Sequence, residues 1–159
     1  MSYKAISSQT LASAASSVLL SSIPQTFKDL VLVCSIKATA GTPATYLRLN
    51  SSLSTYSGVY MFGDGSSVSG STQPNSSRLY LSTSTDYANF SSFQVQIMDY
   101  SLTDKRKNVL SRWGSGTNVN VGAYAGHWES TSAVTSLLIY PDSFNFEIGS
   151  TFSLYGIEA

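Results

Sequence analysis

The sequence predicts an all-β fold, an antiparallel β-sandwich or jelly roll of about nine to ten strands. Short apolar segments recur along the chain, and Gly, Pro, Asn or Ser interrupts them at even intervals, which is typical of antiparallel sandwiches. No apolar stripe of helical period appears, even in the Ala- and Ser-rich residues 12–16. A length of 159 residues suits one domain. We therefore expect residues 1–159 to form a single β-sandwich domain.

The first half of the chain contains the most apolar strand candidate, residues 28–38. Its uninterrupted run from Leu30 to Cys34 predicts a strand that is covered on both faces near the middle of the sandwich. Residues 46–50 alternate, which places Leu47 and Leu49 inward. Further strands are predicted at residues 3–8, 17–23 and 58–62.

The second half of the chain alternates more regularly. Phe93, Val95 and Ile97 are each followed by Gln or Met, as in a half-buried strand. Strands are also predicted at residues 79–81, 109–113 and 118–128. Residues 63–77 are nearly all Ser, Gly, Thr, Gln, Pro and Asn, so we expect a long exposed loop there.

Two apolar runs near the C-terminus, residues 136–140 and 152–157, flank turn-forming residues. They predict a strand, a tight connection and a second strand. In the second run Phe152 and Leu154 share one face, and Ser153 and Tyr155 share the other. We expect this strand to lie inside a sheet.

The charge content limits the kinds of partner that the chain can bind. Charged residues make up 11% of the chain, against about 25% in a typical soluble domain. Nine basic and nine acidic residues give a net charge of zero, which favours self-association. The chain has no basic stripe to neutralise phosphates, so we expect no nucleic-acid binding.

The cysteine content and the N-terminus indicate where the protein folds. The single cysteine, Cys34, lies within an apolar run, which predicts a buried structural thiol and no internal disulfide. The first residues lack the pattern of a signal peptide. No apolar run approaches the ~20 residues that a membrane span needs. We therefore expect a protein that folds in the cytoplasm and does not enter a membrane.

Candidate catalytic groups are sparse. His127, the one histidine, lies two residues before Glu129, so on a strand both would share a face as a general-base pair. The alternative interpretation is a polar strand end, which we favour because the chain has no nucleophile motif. The carboxylates are scattered singly, and the charge cluster at residues 103–108 is interpreted as a solvated turn. We expect no enzymatic activity, no metal and no cofactor.

Aromatic residues are the remaining candidates for a binding surface. They could stack on sugars, or they could be core residues and anchors of a subunit interface. We favour the interface, because the chain is neutral and rich in Tyr. The candidates are Tyr60, Tyr80, Trp113, Tyr124 and Trp128, together with Tyr56.

Three segments resemble small β-sandwich virion proteins of tailed bacteriophages. Residues 18–33 read VLLSSIPQTFKDLVLV, and residues 136–157 read SLLIYPDSFNFEIGSTFSLYGI. A third similarity is Leu47-Arg48-Leu49-Asn50 with Tyr56-Ser57 soon after. Residues 63–87 carry no resemblance, and Glu158 stands where these phage proteins often have Lys.

The resemblance implies a jelly-roll-like structural protein of the virion, made in the host cytoplasm. It carries no catalytic motif. Its most specific implication is a capsid decoration, or cement, protein that forms a homotrimer and binds the major capsid protein or another virion protein. The alternative is a tail-associated or host-adhesion module that recognises surface carbohydrate.

Overall fold

A computed structural model describes residues 2–116 and 120–158. The described residues form strands and connections without a helix, so none of them forms a helix that could cross a membrane. The predicted all-β class is confirmed. The strands are β1 (Tyr3–Thr10), β2 (Val18–Leu20), β3 (Asp29–Ile36), β4 (Thr45–Leu49), β5 (Tyr56–Gly63), β6 (Val68–Ser76), β7 (Leu79–Ser82), β8 (Ser91–Ile97), β9 (Lys107–Gly114), β10 (Val121–Trp128), β11 (Leu137–Pro141) and β12 (Thr151–Ile157).

The strands form two antiparallel sheets. The large sheet has eight strands in the order β1-β12-β3-β8-β9-β10-β5-β6, and the small sheet has four in the order β2-β11-β4-β7. Buried side chains from both sheets form one apolar cluster, which is the core of a β-sandwich. Leu47 and Leu49 belong to this cluster, as predicted. The strand predicted from residue 118 begins at Val121, and residues 117–119 lie outside the described part of the chain.

The C-terminal segment differs from the predicted strand pair in one respect. Strand β11 lies in the small sheet, whereas β12 lies in the large sheet between β1 and β3. The connection between them therefore crosses from one sheet to the other. The interior position of β12 is confirmed, and Phe152 and Leu154 share its buried face.

Strand β3 is central but not fully covered. It pairs with β12 on one side and β8 on the other, as the apolar run predicts. Leu30, Leu32 and Cys34 are buried, yet Val33 is 43% exposed. The prediction of two covered faces is wrong at Val33 but holds at Val31, which lies on the same face of the strand and is 3% exposed.

The predicted loop at residues 63–77 is also wrong, because residues 68–76 form β6. This strand pairs with β5 and ends the large sheet. Most of its residues are exposed, as predicted, while Gln73 and Ser76 are half-buried. Backbone hydrogen bonds to β5 are enough to hold an edge strand, so β6 needs no apolar face.

Asp64 organises the turn between β5 and β6. Its carboxylate accepts hydrogen bonds from the backbone N–H groups of Ser66 at 2.9 Å and Ser67 at 2.7 Å. Both hydroxyls donate to it as well, at 2.9 and 3.0 Å. These bonds hold the pKa of Asp64 well below its usual range, with the Ser66 and Ser67 backbone bonds as the largest cause.

The depressed pKa of Asp64 predicts an acid-sensitive turn. A carboxyl whose folded pKa is lowered stabilises above its ordinary pKa, about 3.9, and loses that effect as the pH falls through the folded value. We expect the NMR chemical shifts of the Ser66 and Ser67 amide groups to stay constant as the pH falls below about 3.9, the ordinary pKa. They should change only when the pH reaches the lower pKa of Asp64 in the folded protein. In Asp64→Asn, which cannot titrate, the same signals should not move. An equal shift in both proteins would contradict the assignment.

Candidate functional site

The face of the large sheet that points away from the small sheet is the most extensive candidate surface. Strand β9 shows how the sequence divides the two faces. Val109, Ser111 and Trp113 are buried, while Leu110 and Arg112 between them are exposed. The same alternation in the neighbouring strands defines this face, which we call the outer face.

Two cross-strand rows make up the centre of the outer face. Each row follows the register of six neighbouring strands, β12, β3, β8, β9, β10 and β5. One row consists of Ser153, Val33, Gln94, Arg112, Ala123 and Met61, and the other of Tyr155, Val31, Gln96, Leu110, Ala125 and Val59.

Five apolar side chains of the outer face are accessible, although Val31 on the same face is buried. Val33, Leu110, Val59, Val121 and Met61 are 43, 45, 50, 57 and 61% exposed. Leu110, Val121, Val59 and Met61 lie on the neighbouring strands β9, β10 and β5, so their exposure is contiguous, whereas Gln94 and Gln96 of β8 separate Val33 from them. Contiguous apolar exposure on a soluble protein marks an interaction surface.

A depression of about 440 Å³ lies at the centre of the outer face. Ala123 and Ala125 leave space at its floor because their side chains are small. Val59, Met61 and Leu110 border it on the apolar side, and Gln94, Gln96 and Arg112 border it on the polar side. The depression can receive an apolar group whose edge carries a hydrogen-bonding atom.

The outer face carries little charge. Within the two rows Arg112 is the one charged residue. Arg112 donates through Nε to Gln94 Oε1 at 2.9 Å and through Nη2 to the same oxygen. The ion pairs within the described residues join Lys4 to Glu158, Lys105 to Asp99 and His127 to Glu129, so no carboxylate neutralises Arg112.

His127 and Glu129 do lie close together, as their spacing predicts. His127 Nε2 is 4.0 Å from Glu129 Oε1, and Ser57 lies directly opposite His127 on β5. No hydrogen bond joins Ser57 to His127 among the described contacts; the Ser57 hydroxyl instead accepts from the Asn75 N–H at 3.4 Å. This geometry forms no nucleophile–base relay.

Three of the aromatic candidates lie in the core. Trp113, Tyr124 and Trp128 are buried. Their polar atoms bond inside the protein: Trp113 Nε1 to Asn120 Oδ1 at 2.8 Å, Tyr124 Oη to Gln73 Oε1 at 3.0 Å and Trp128 Nε1 to Ser54 Oγ at 2.9 Å. Tyr56 is buried as well. Buried rings offer no free face to a sugar or a second subunit.

Tyr60 and Tyr80 keep part of their surface accessible and belong to a larger cluster. Tyr140, Tyr46 and Tyr80 form one cross-strand row of the small sheet. Ring centroids are 5.0 Å apart for Tyr46 and Tyr80, 5.0 Å for Tyr60 and Tyr80 and 5.7 Å for Tyr46 and Tyr140. The guanidinium groups of two arginines cover these rings: Arg78 lies 4.0 Å from the Tyr46 centroid and Arg48 lies 4.7 Å from that of Tyr140.

Sequence reasoning missed the arginines of this tyrosine–arginine cluster. The alternation that places Leu47 and Leu49 inward also places Tyr46 and Arg48 on the opposite face, so the sequence pattern could have identified Arg48. It could not have identified Arg78, because Arg78 lies between two strands, where no periodicity applies. Stacking of guanidinium groups on tyrosine is favourable at exposed sites.

The charge cluster at residues 103–108 contains one residue that does not fit a solvated turn. Lys107 is fully buried and begins β9. Its ammonium group donates to the carbonyl oxygens of Leu102 at 2.5 Å, Lys105 at 2.7 Å and Thr131 at 3.1 Å. The turn prediction is therefore wrong for Lys107. Its side chain lies on the inward-pointing face of β9 and is buried.

The remaining chemical groups of the described residues do not form a metal or thiol site. Cys34 is buried and unpaired, as predicted. Within residues 2–116 and 120–158, no three His, Cys, Asp or Glu side chains come together in a way that would hold a metal ion.

Neither a protein-family model nor a curated protein matches the sequence. Among solved structures, a protein of unknown function from Shewanella oneidensis MR-1 is 12% identical, with a TM-score of 0.28 over 99% of this chain and 76% of that chain. The alginate lyase Aly36B, solved with an alginate trisaccharide, is 8% identical, with a TM-score of 0.33 over 95% of this chain and 80% of that chain. Likenesses this weak support no functional assignment.

Proposed function

We propose that the chain is a non-enzymatic structural protein of a tailed-phage virion, a capsid decoration protein that assembles as a homotrimer. The single observation that carries the assembly role is the contiguous, nearly uncharged apolar surface of the outer face. The virion setting rests on the resemblance of residues 18–33 and 136–157. In this proposal the outer faces of three copies turn toward their common axis, and the trimer contacts the major capsid protein.

The physical argument for assembly is the free energy of apolar burial. Val33, Val59, Met61 and Leu110 are each at least two-fifths exposed in the single chain. Removing such side chains from water stabilises a complex by about 25 cal/mol for each Å² buried. The net charge of zero leaves no long-range repulsion between copies. On the shell, the symmetry of the trimer repeats each contact with the capsid, and the repeated contacts raise the overall avidity.

The first experiment measures the solution mass by light scattering across a dilution series. We expect a trimer, and we expect Leu110→Glu to raise its dissociation constant about a hundredfold, because removing the added carboxylate from water costs more than its attraction to Arg112 on the same face contributes. The matched control is Leu53→Glu, since Leu53 is 67% exposed and lies off the outer face. A mass that responds equally to both substitutions, or to neither, would contradict the role of the outer face.

The decoration role has its own test on capsids. Shells that carry the protein should resist heating better than the same shells without it, and the Leu110→Glu protein should restore less of that resistance than Leu53→Glu. Undecorated shells that are equally resistant would rule out cementing, even if the protein forms trimers in solution.

A second candidate function, carbohydrate recognition in host adhesion, is favoured by the tyrosine–arginine cluster. Tyr60 and Tyr80 are part-exposed there, and a tyrosine ring beside a guanidinium group can stack on a sugar and donate hydrogen bonds to it. Binding on a glycan array that Tyr80→Ala abolishes would support this function. An array without signal would exclude it for the glycans tested.

A further inference from the structure

We propose that β6 is an open pairing edge through which two copies of this chain join their large sheets across a two-fold axis. The proposal does not rest on the function proposed above, because it uses the strand edge and not the outer face. It commits to one occupant, the β6 strand of a second copy.

The backbone of β6 has hydrogen-bonding groups that face away from the protein. Asp64 N–H donates to Ser67 O at 3.1 Å, which makes these two residues a hydrogen-bonded pair. Bonded and non-bonded pairs alternate along an antiparallel ladder. The register pairs Gly63 with Val68, Met61 with Gly70 and Val59 with Thr72, so these are the non-bonded pairs.

Val68, Gly70 and Thr72 therefore direct their backbone N–H and C=O groups toward the open edge. Strand β6 is the last strand of the large sheet, and no described backbone bond uses these outward groups. The Ser71 hydroxyl approaches the Thr72 carbonyl at 3.4 Å, which is long for an O–H···O bond. In the single chain these groups face the open edge of the sheet, where a second strand can pair with them.

The usual protections of an edge strand are missing from the first five residues of β6. Proteins block open edges with charged side chains, proline, bulges or very short strands. Val68–Ser76 contains no charged residue, and both Pro74 and the register shift between Tyr56 and Gly58 lie at the far end of the strand. The opposite edge of the sheet is protected, because β1 carries Lys4 and a register shift between Ala5 and Ser7.

The open edge is complementary to itself. In an antiparallel pair centred on Gly70, Gly70 faces Gly70 of the second copy, and Val68 faces Thr72. All the outward backbone groups then pair with one another. The side chains that meet on the other face are Ser69 and Ser71, which are small and uncharged. A two-fold contact of this kind closes on itself, so β6 joins two copies at this edge, whether they are single chains or members of the trimers proposed above.

The test is a cysteine cross-linking experiment with two single variants, Ser69→Cys and Ser71→Cys. In the proposed register position 69 of one copy lies directly opposite position 71 of the other, with Cα atoms about 4.5 Å apart, which suits a disulfide. We expect a mixture of the two variants to form a cross-linked dimer, while each variant alone forms little. Cys34 does not compete, since it is buried and burial raises the pKa of its thiol.

A second measurement removes one outward donor without altering the β5–β6 ladder. Thr72→Pro deletes the outward N–H, and proline is tolerated on an edge strand in that position. Because the axis duplicates the loss, the dissociation constant should rise about tenfold to thirtyfold. The control Thr72→Ala retains the N–H and should leave the dissociation constant unchanged.

Three results would overturn the proposal. The first is a mixture of Ser69→Cys and Ser71→Cys that forms no more cross-linked dimer than either variant alone. The second is a Thr72→Pro protein that associates as tightly as Thr72→Ala. The third is preferential cross-linking of Ser71→Cys to Ser8→Cys on β1, which would mean that β6 pairs with the opposite edge of the next copy. Leu110→Glu affects the outer face and not β6, so the two contacts can fail independently.

Discussion

Replacing Lys107 with methionine should lower the free energy of unfolding by about 3 kcal/mol or more. The substitution keeps the length and apolar stem of the side chain but removes its ammonium group. The carbonyl oxygens of Leu102, Lys105 and Thr131 then lose the donor that they share. Because this donor joins the turn before β9 to the segment after β10, its loss should loosen both. Urea unfolding followed by tryptophan fluorescence measures the change.

The matched control for Lys107 is Lys105→Met. Lys105 lies two residues earlier in the same charge cluster, and its ammonium group is 3.6 Å from Asp99 at the surface. Exposed ion pairs contribute about 0–1 kcal/mol, so this variant should unfold nearly as the wild type does. Similar losses in the two variants would mean that the cluster acts through its net charge and not through the buried contacts of Lys107.

Lys107 also shows where the sequence was informative and where it was misread. The alternation of Val109, Ser111 and Trp113 continues backward to Lys107, so strand period alone places this lysine inward. We interpreted the three cations of residues 103–108 as one solvated cluster and therefore missed this alternation. When a charged residue begins a strand, the alternation of the strand decides whether its side chain points inward, and a buried charge then needs hydrogen-bond partners nearby.

The fold class was predictable because apolar alternation and turn residues both reflect local backbone geometry. Strand β6 was not, because an edge strand is held by backbone bonds to β5 and needs no apolar pattern. The division of the strands between two sheets was not predictable either. Strands β11 and β12 are close in sequence but lie in different sheets. Proximity in sequence does not decide whether a connection turns within one sheet or crosses to the other.

The candidate site was predicted only in part for a similar reason. Residue type picked out the aromatic residues as candidates for an interface or a sugar site, but it could not decide which face each ring occupies. Trp113, Tyr124 and Trp128 point inward, so the accessible surface consists of Val33, Leu110 and their neighbours. These aliphatic residues become a surface only when the register of six strands brings them into adjacent rows.

A pair of glycines determines how the large aromatic rings fit beneath that surface. Gly58 and Gly126 face each other across β5 and β10, and the Tyr124 ring lies against both. A Cβ atom added at Gly126 would be 2.3 Å from Tyr124 Oη, and one added at Gly58 would be at the same distance. The ring can lie flat against the sheet only because neither residue has a side chain, which explains why two glycines occur in strand interiors.

Gly126→Ala should therefore lower the free energy of unfolding by about 2–3 kcal/mol, because Tyr124 must move within a packed core. The matched control is Gly63→Ala on β5, where an added Cβ would meet only Ser67 O at 3.6 Å; its stability should change little. Combining Gly126→Ala with Tyr124→Leu removes the clash, so the double variant should lose less than the sum of the two single losses. Strictly additive losses in chemical unfolding would show that the glycine is required for its backbone and not for the ring. In that case the backbone of β10, and not the Tyr124 ring beneath it, would determine the shape of the outer face above these two glycines.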